Sequence, residues 1–202
     1  MTASASVAEL VGRLGSADFN VRALALAELV GHGSAATAAL MGVLDSPDAA
    51  LRAQAARGLA EIADPASAAA MATALEDGSP DVRGQAAHGL VRMGDPRAVQ
   101  ALVRTLDDVP DLLHDPYTLS AYALIALGRV SLPAVAPLLK AGAPATRERA
   151  FLVVRSVVEQ LPGAGEWDQL WRSLGSYDPR GDNPERDRAA GEWQTWIAQS
   201  AP

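Results

Sequence analysis

"SPDVRGQAAHGLVRMGDPRAVQALVRTL", residues Ser79 to Leu106, holds the pattern that decides the fold. Near its middle, Gly94 suits a left-handed helix ending. Asp95 then reads as an N-cap, because its carboxylate can accept from backbone N–H groups that have no partner at a helix start. Pro96 fits the first turn, where a missing N–H costs nothing. Beyond it Val99, Leu102 and Leu106 recur at helical spacing. The stretch is therefore two short helices around a tight turn, with Ser79-Pro80 opening the first.

The same unit recurs. Segments beginning at Leu14, Leu44 and Leu75 fall into register, with anchors about thirty residues apart. An arginine follows each anchor (Arg22, Arg52, Arg83), and a leucine follows each arginine (Leu29, Leu59, Leu90). In the middle copy Leu51, Ala55, Ala56, Leu59 and Ile62 predict a helix opened by Ser46-Pro47. "ADP" follows, with Asp64 as cap and Pro65 in the first turn, then a helix carrying Ala68, Met71 and Leu75. From Asp107 to about Gln160 the register loosens: Ser120 stands where the arginine belongs, and Arg147 restores it.

Composition agrees with a helical chain. Of 202 residues 49% are apolar but only 4% aromatic, so the core is built from Ala, Leu and Val. Strands favour β-branched and aromatic residues instead. With no cysteine, disulfides and thiolate metal sites are excluded. "MTASASVAEL" has neither the basic start nor the apolar run of a secretory signal. No uninterrupted apolar stretch approaches the roughly 20 residues of a membrane span. These features predict a cytoplasmic protein that does not engage a membrane. Of the 17 basic residues only Lys140 is lysine, which with abundant alanine suggests a GC-rich bacterial genome.

The "SPDVRGQAAHGLVRMGDPRAVQALVRTL" unit resembles the short HEAT-like repeats of the phycobilisome lyase-type family. The resemblance covers about Leu14 to Leu106 well. It implies an all-α, right-handed α-solenoid of helical hairpins with terminal capping helices, the second helices lining the concave side. A lone cap helix is expected over residues 1–14, about five helix pairs over 15–161 with an insertion at 107–118, and Trp-rich capping helices over 162–202. Trp167 with Trp171, and Trp193 with Trp196, stand at helical neighbour spacing. They fit an end seal better than a ligand platform. "GSYDPRGDNPERDR" between them reads as a polar loop, and the whole chain as one continuous domain.

Candidate sites are sparse. The recurrent arginines read either as an anion-binding ladder or as staples to carboxylates such as Asp18, Asp48 or Asp81 and to neighbouring helix ends; repetition favours staples. With Val99, Leu102 and Leu106 facing the core, Arg97, Gln100 and Arg104 point away along one stripe. Equivalent positions are Ala38 and Gly42, then Ala69 and Thr73, and later about Ala136 and Lys140. A groove is expected that is smooth and neutral at its N-terminal end and basic at Arg97, Gln100, Arg104 and Lys140. The same residues read equally as plain solvated charge. The insertion offers a possible binding edge at Leu112, Leu113, His114 and Tyr117. Its aspartates and single histidine match no metal-ligand spacing. His88 falls where Arg57 falls one unit earlier, on a face expected to be solvated.

No catalytic motif is present, so neither catalytic residues, metal nor cofactor is expected. The expected function is a non-catalytic scaffold or adaptor that holds another protein in its groove, one with an acidic or carboxylate-bearing surface. The family resemblance implies the alternative, a bilin lyase or tetrapyrrole-handling chaperone. Nucleic acid is disfavoured by a net charge of -7.

Overall fold

The computed structural model describes residues 5–108, 117–162 and 166–199. Its regular elements are helical: α1 Val7–Arg13, α2 Phe19–Gly31, α3 Ser34–Val43, α4 Ala49–Ile62, α5 Ala68–Ala74, α6 Pro80–Arg92, α7 Ala98–Arg104, α8 Leu119–Leu127, α9 Leu132–Val135, α10 Pro144–Val158, α11 Trp167–Ser173 and α12 Asn183–Gln199. The fold is an all-α stack of HEAT-like helical hairpins. It divides into two compact units, Met1–Ala101 and Leu102–Pro202, with the division falling inside α7.

In the first unit α1 opens with a capping box. The Ser6 hydroxyl accepts from Glu9 N–H, and the Glu9 carboxylate accepts from Ser6 N–H at 2.8 Å. The first helices of successive hairpins pack on one another, α2 on α4 and α4 on α6. Leu10, Leu26, Leu29, Leu40, Leu59, Met71 and Leu90 are buried among Ala25, Ala36, Ala55, Ala56, Ala86 and Ala87. Small residues let the helices close up. A Cβ at Gly58 would lie 3.1 Å from Leu26 and Leu40 methyls, and one at Gly89 would lie 2.3 Å from the Met71 methyl.

The turn chemistry follows the sequence with one shift. Asp48, not Ser46, caps α4, accepting from Ala50 N–H at 2.8 Å; Asp18 does the same for α2 with Asn20. Ser46 and Ser16 sit two residues earlier and accept from the cap residues' own N–H groups. Asp64 caps a short 3₁₀ turn over Pro65–Ser67, and α5 begins only at Ala68. Gly94 is left-handed as expected, φ 66°. Ala63 occupies the equivalent place at φ 55°, where a Cβ is unfavourable.

The second unit keeps the hairpin order with different contacts. Where the repeat arginine is missing, the Ser120 hydroxyl pairs with Thr105 at 2.7 Å in the interior. Beside it the Thr118 hydroxyl donates to the Leu106 carbonyl and accepts from Ala121 N–H. The run Leu119–Lys140 reaches a hydropathy of 1.6 and is long and apolar enough to cross a bilayer, although a count of uninterrupted apolar residues passes over it. The chain there is not one straight rod. Gly128 (φ 63°) ends α8, and a 3₁₀ turn, α9 and a second 3₁₀ segment follow.

The tryptophans of this unit sit mostly inside a cluster. Trp193 of α12 is fully buried, stacked on Trp167 of α11 at 5.5 Å and edge-on to Phe151 of α10 and to Trp196. Its buried indole N–H has no acceptor among the described residues. Trp171 instead donates to the Tyr177 carbonyl. The segment expected to be a purely polar loop carries a core anchor. Tyr177 is buried, its ring 4.8 Å from Phe151 and its hydroxyl 2.6 Å from the Leu139 carbonyl it donates to. Burial pushes the Tyr177 phenol up to about 12, because the phenolate would lose its water.

Candidate functional site

The recurrent arginines are structural. Arg22 donates to the carbonyls of Ser16 and Ala17, Arg52 to Ser46 and Pro47, Arg83 to Asp77 and Gly78, and Arg147 to Ala141 and Gly142. Each guanidinium ties down the turn that precedes its own helix. Arg52 also forks onto the Asp77 carboxylate at 2.8 Å on both nitrogens, and Arg147 reaches the Pro179 carbonyl. The staple reading therefore holds, with backbone carbonyls as the shared partners and the Asp77 carboxylate as a further partner of Arg52. Hydrogen bonds from Arg52 hold the Asp77 carboxyl below the usual carboxylate range.

Of the expected basic stripe, Arg97, Gln100 and Arg104 are exposed on or beside α7, while Val99 is only half-buried. The core face of α7 is instead Ala98, Ala101 and Leu102. Arg97 is engaged locally: its guanidinium forks onto Asp95 at 2.7 and 2.8 Å, and the same carboxylate accepts the Arg97 N–H. Those bonds bring the Asp95 carboxyl down to about 2. Lys140, in the second unit, is exposed at the end of a 3₁₀ segment, its Nζ 3.6 Å from the place of a Gly191 Cβ. Ala136, offered as an exposed equivalent, is buried.

Leu112, Leu113 and His114 lie outside the described residues. Tyr117 is half-buried and stacks on exposed Tyr122, centroids 4.9 Å apart. Asp107, at the start of the insertion, accepts from buried Arg149 at 2.6 Å and from the Thr146 hydroxyl. His88 is half-buried rather than solvated; burial and nearby Arg92 lower its pKa. Among the described residues no three carboxylates or histidines gather as a metal site.

A depression of about 660 Å³ in the first unit lies on the second-helix side. Ala38 and Gly42 of α3 and Ala70, Thr73 and Ala74 of α5 form its small-residue part, with Met41, Leu44 and Val82 alongside. This is the smooth N-terminal groove foreseen from Ala38, Gly42 and Thr73, with Ala70 in place of Ala69. It is not neutral. Asp45, Glu76 and Asp77 also line it. The signal for them was present, since Leu44-Asp45 and Leu75-Glu76 recur at the repeat anchors. On the first-helix side a depression of about 380 Å³ runs along α2 and α4, lined among others by the exposed Phe19.

Residues 37–114 match the family model for HEAT repeats. No curated protein matches the chain. Among solved structures, the complex of CpcE and CpcF of phycocyanin lyase from Nostoc sp. PCC7120 is similar, with a TM-score of 0.52 and 22% identity over 94% of this chain and 76% of that one. A designed armadillo repeat protein, YIII(Dq)4CqI, is similar with a TM-score of 0.44 and 15% identity, covering 95% of this chain and 100% of that one. What the likeness to the lyase complex carries is the helical-repeat fold.

Proposed function

We propose that this chain is a non-catalytic scaffold or adaptor, a cytoplasmic module that holds another protein against the second-helix side of its repeats. The observation that carries the reading is the depression of about 660 Å³ on α3 and α5. Its floor is made of side chains too small for chemistry but suited to close approach. Repeat folds commonly bind on one face of this kind. The reading takes residues 1–202 as one repeat domain.

The finer reading places a carboxylate-bearing surface of the partner at Arg97, Gln100, Arg104 and Lys140. Within that surface Arg97 also pairs with Asp95. Leu112, Leu113, His114 and Tyr117 are proposed as a second binding edge. A bilin lyase or tetrapyrrole chaperone is the alternative, supported by the likeness to the phycocyanin lyase complex in fold.

The test is capture of a defined partner by Arg104→Glu with Lys140→Glu, compared with Arg57→Glu with Arg92→Glu on the first-helix side. Exposed charge changes cost within about 0.5 kcal/mol each, so both variants keep their helical circular dichroism. Capture lost only in the first pair supports the reading. Loss only in the second assigns the working face to the other side. Co-expression with bilin and a cysteine-bearing acceptor protein that yields a covalently coloured acceptor establishes the lyase alternative, since this chain has no cysteine of its own to carry the chromophore.

A further inference from the structure

We propose that the exposed face of α8 pairs with the same face of a second copy of this chain, the two helices antiparallel, so that Arg129 of each copy lies against Tyr122 of the other. The inference goes beyond the adaptor reading and uses no residue of the groove on α3 and α5.

The face is apolar where water meets it. α8 contains no charged residue, and Ser120, Ala121, Ala123 and Leu124 form its buried side. Leu119, Tyr122 and Ala126 are exposed, and their line continues into exposed Arg129 and Val130 of the following 3₁₀ turn. Steps of three and four residues put these positions on one stripe. Tyr122 is 51% exposed and Val130 70%. Among the described residues the other exposed large apolar side chains are Phe19 and Leu24, both on α2. Apolar exposure in the second unit is thus gathered on this stripe. A helix that is apolar all round is normally covered all round. Within Leu119–Lys140, however, only 39% of the most apolar window is buried. A contiguous exposed stripe of this kind marks a contact surface.

The two ends of the stripe identify the occupant. At one end Tyr122 stacks on Tyr117 at 4.9 Å and stays half open to solvent. At the other, exposed Arg129 has no hydrogen-bond or ion-pair partner among the described residues. A guanidinium is attracted to the face of an aromatic ring, and this chain uses that contact elsewhere, with Arg22 over Phe19 and Arg155 over Trp167. Arg129 stands about 10 Å along the helix from Tyr122, too far to cover it within one copy. A two-fold axis near Ala126 reverses the stripe, and each cation then meets the other copy's ring. The small Ala126 side chain lets the helices close at the crossing. With no carboxylate on the stripe, the pairing opposes no acids, although the chain carries a net charge of -7. That same charge opposes contact with an anionic lipid surface, so the stripe favours protein over membrane. A single helix pair is a small interface, and the dimer it makes is concentration-dependent.

The experiment is sedimentation velocity of the full chain over a concentration series. The unaltered chain passes from monomer to dimer as concentration rises. Tyr122→Arg sets like charges against each other across the axis, and Arg129→Glu removes the cation; each weakens the dimer by about tenfold or more. Both positions are exposed, so each variant keeps its helical circular dichroism. Mixed in equal amounts, the two variants recover a dimer. The introduced arginine of one copy meets the introduced glutamate of the other, while the remaining Arg129 and Tyr122 meet as before. An unaltered chain that stays monomeric throughout overturns the inference. A dimer that both variants leave intact lies on another surface and overturns it too. Loss in each variant without recovery in the mixture overturns the antiparallel pairing. A monomer that binds phosphatidylcholine–phosphatidylserine vesicles, and loses them with Tyr122→Arg, makes the stripe a lipid contact and overturns the second copy as its occupant.

Discussion

In the first unit Arg22, Arg52 and Arg83 make the same pair of bonds to the turn before their helices. In the second, Arg147 alone does so among the described residues, and Ser120 with Thr105 stands in for another copy. The first unit packs leucine between alanines, with glycines at the tightest approaches. The second gathers Phe151, Trp167, Tyr177 and Trp193 and buries Arg147, Arg149 and Arg186. A contact repeated in space leaves a repeated letter in the sequence. A contact used once leaves only a residue type, and its partner stays hidden.

The largest effect that sharpens this contrast is expected at the aromatic cluster. Trp193→Ala removes a fully buried ring and costs about 3–5 kcal/mol in denaturant unfolding. Truncation after Arg180 removes the whole of α12 and costs more. A loss below about 1 kcal/mol for Trp193→Ala means that the cluster does not hold the second unit together.

The staples come next. Arg147 is 5% exposed and binds three carbonyls, from Ala141, Gly142 and Pro179. Arg147→Met strands them and costs about 2–4 kcal/mol, since each buried unsatisfied group costs about 1–3 kcal/mol. The more open Arg52 is expected to cost about 1–2 kcal/mol as Arg52→Met. Equal, negligible losses at both break the claim that one staple serves both units.

Two glycines predict opposite signs. Gly89→Ala drives a methyl toward Met71 and costs about 1–3 kcal/mol. Gly42→Ala enters open space and stabilises α3 by about 0.5–1 kcal/mol. Thermal melts of the two variants must therefore shift in opposite directions. A destabilising Gly42→Ala means the groove floor is shaped by packing after all.

The smallest effect is spectroscopic. Of the three tyrosines, Tyr122 is exposed and Tyr177 is buried. In an alkaline titration at the phenolate band, Tyr177 ionises near pH 12, above the ordinary tyrosine value. Its folded pKa is raised, so its stabilising contribution is complete below about pH 10 and is lost as pH rises toward 12. Replacing Tyr177 with Phe removes the late step. The absence of any step near pH 12 in the folded protein is the contrary result.

The hairpins, the left-handed Gly94 and the α1 cap were legible because period, turn chemistry and capping agree over three copies. The arginine staples were legible in kind, but their carbonyl acceptors carry no letter in the sequence. Tyr177 was missed because its neighbours, Asp178, Pro179, Arg180 and Gly181, read as loop; a single buried ring has no period to betray it. The groove was foreseen from Ala38, Gly42 and Thr73, and its sign was not. Asp45 and Glu76 follow the leucine anchors, yet they count toward the groove only once α3 and α5 lie side by side. Arg97 drew attention as a lone cation, and its partner Asp95, two residues away, had already been assigned to a cap.

The central claim, that the second-helix side meets a protein partner, is tested most directly by site-specific photo-crosslinking. Benzoylphenylalanine is placed at Ala70 in the groove and, separately, at Gln54 on the first-helix side. In native lysate the account predicts one discrete protein adduct from position 70, absent from position 54 and suppressed by Gly42→Leu. Adducts from position 54 alone, or from neither position, contradict it.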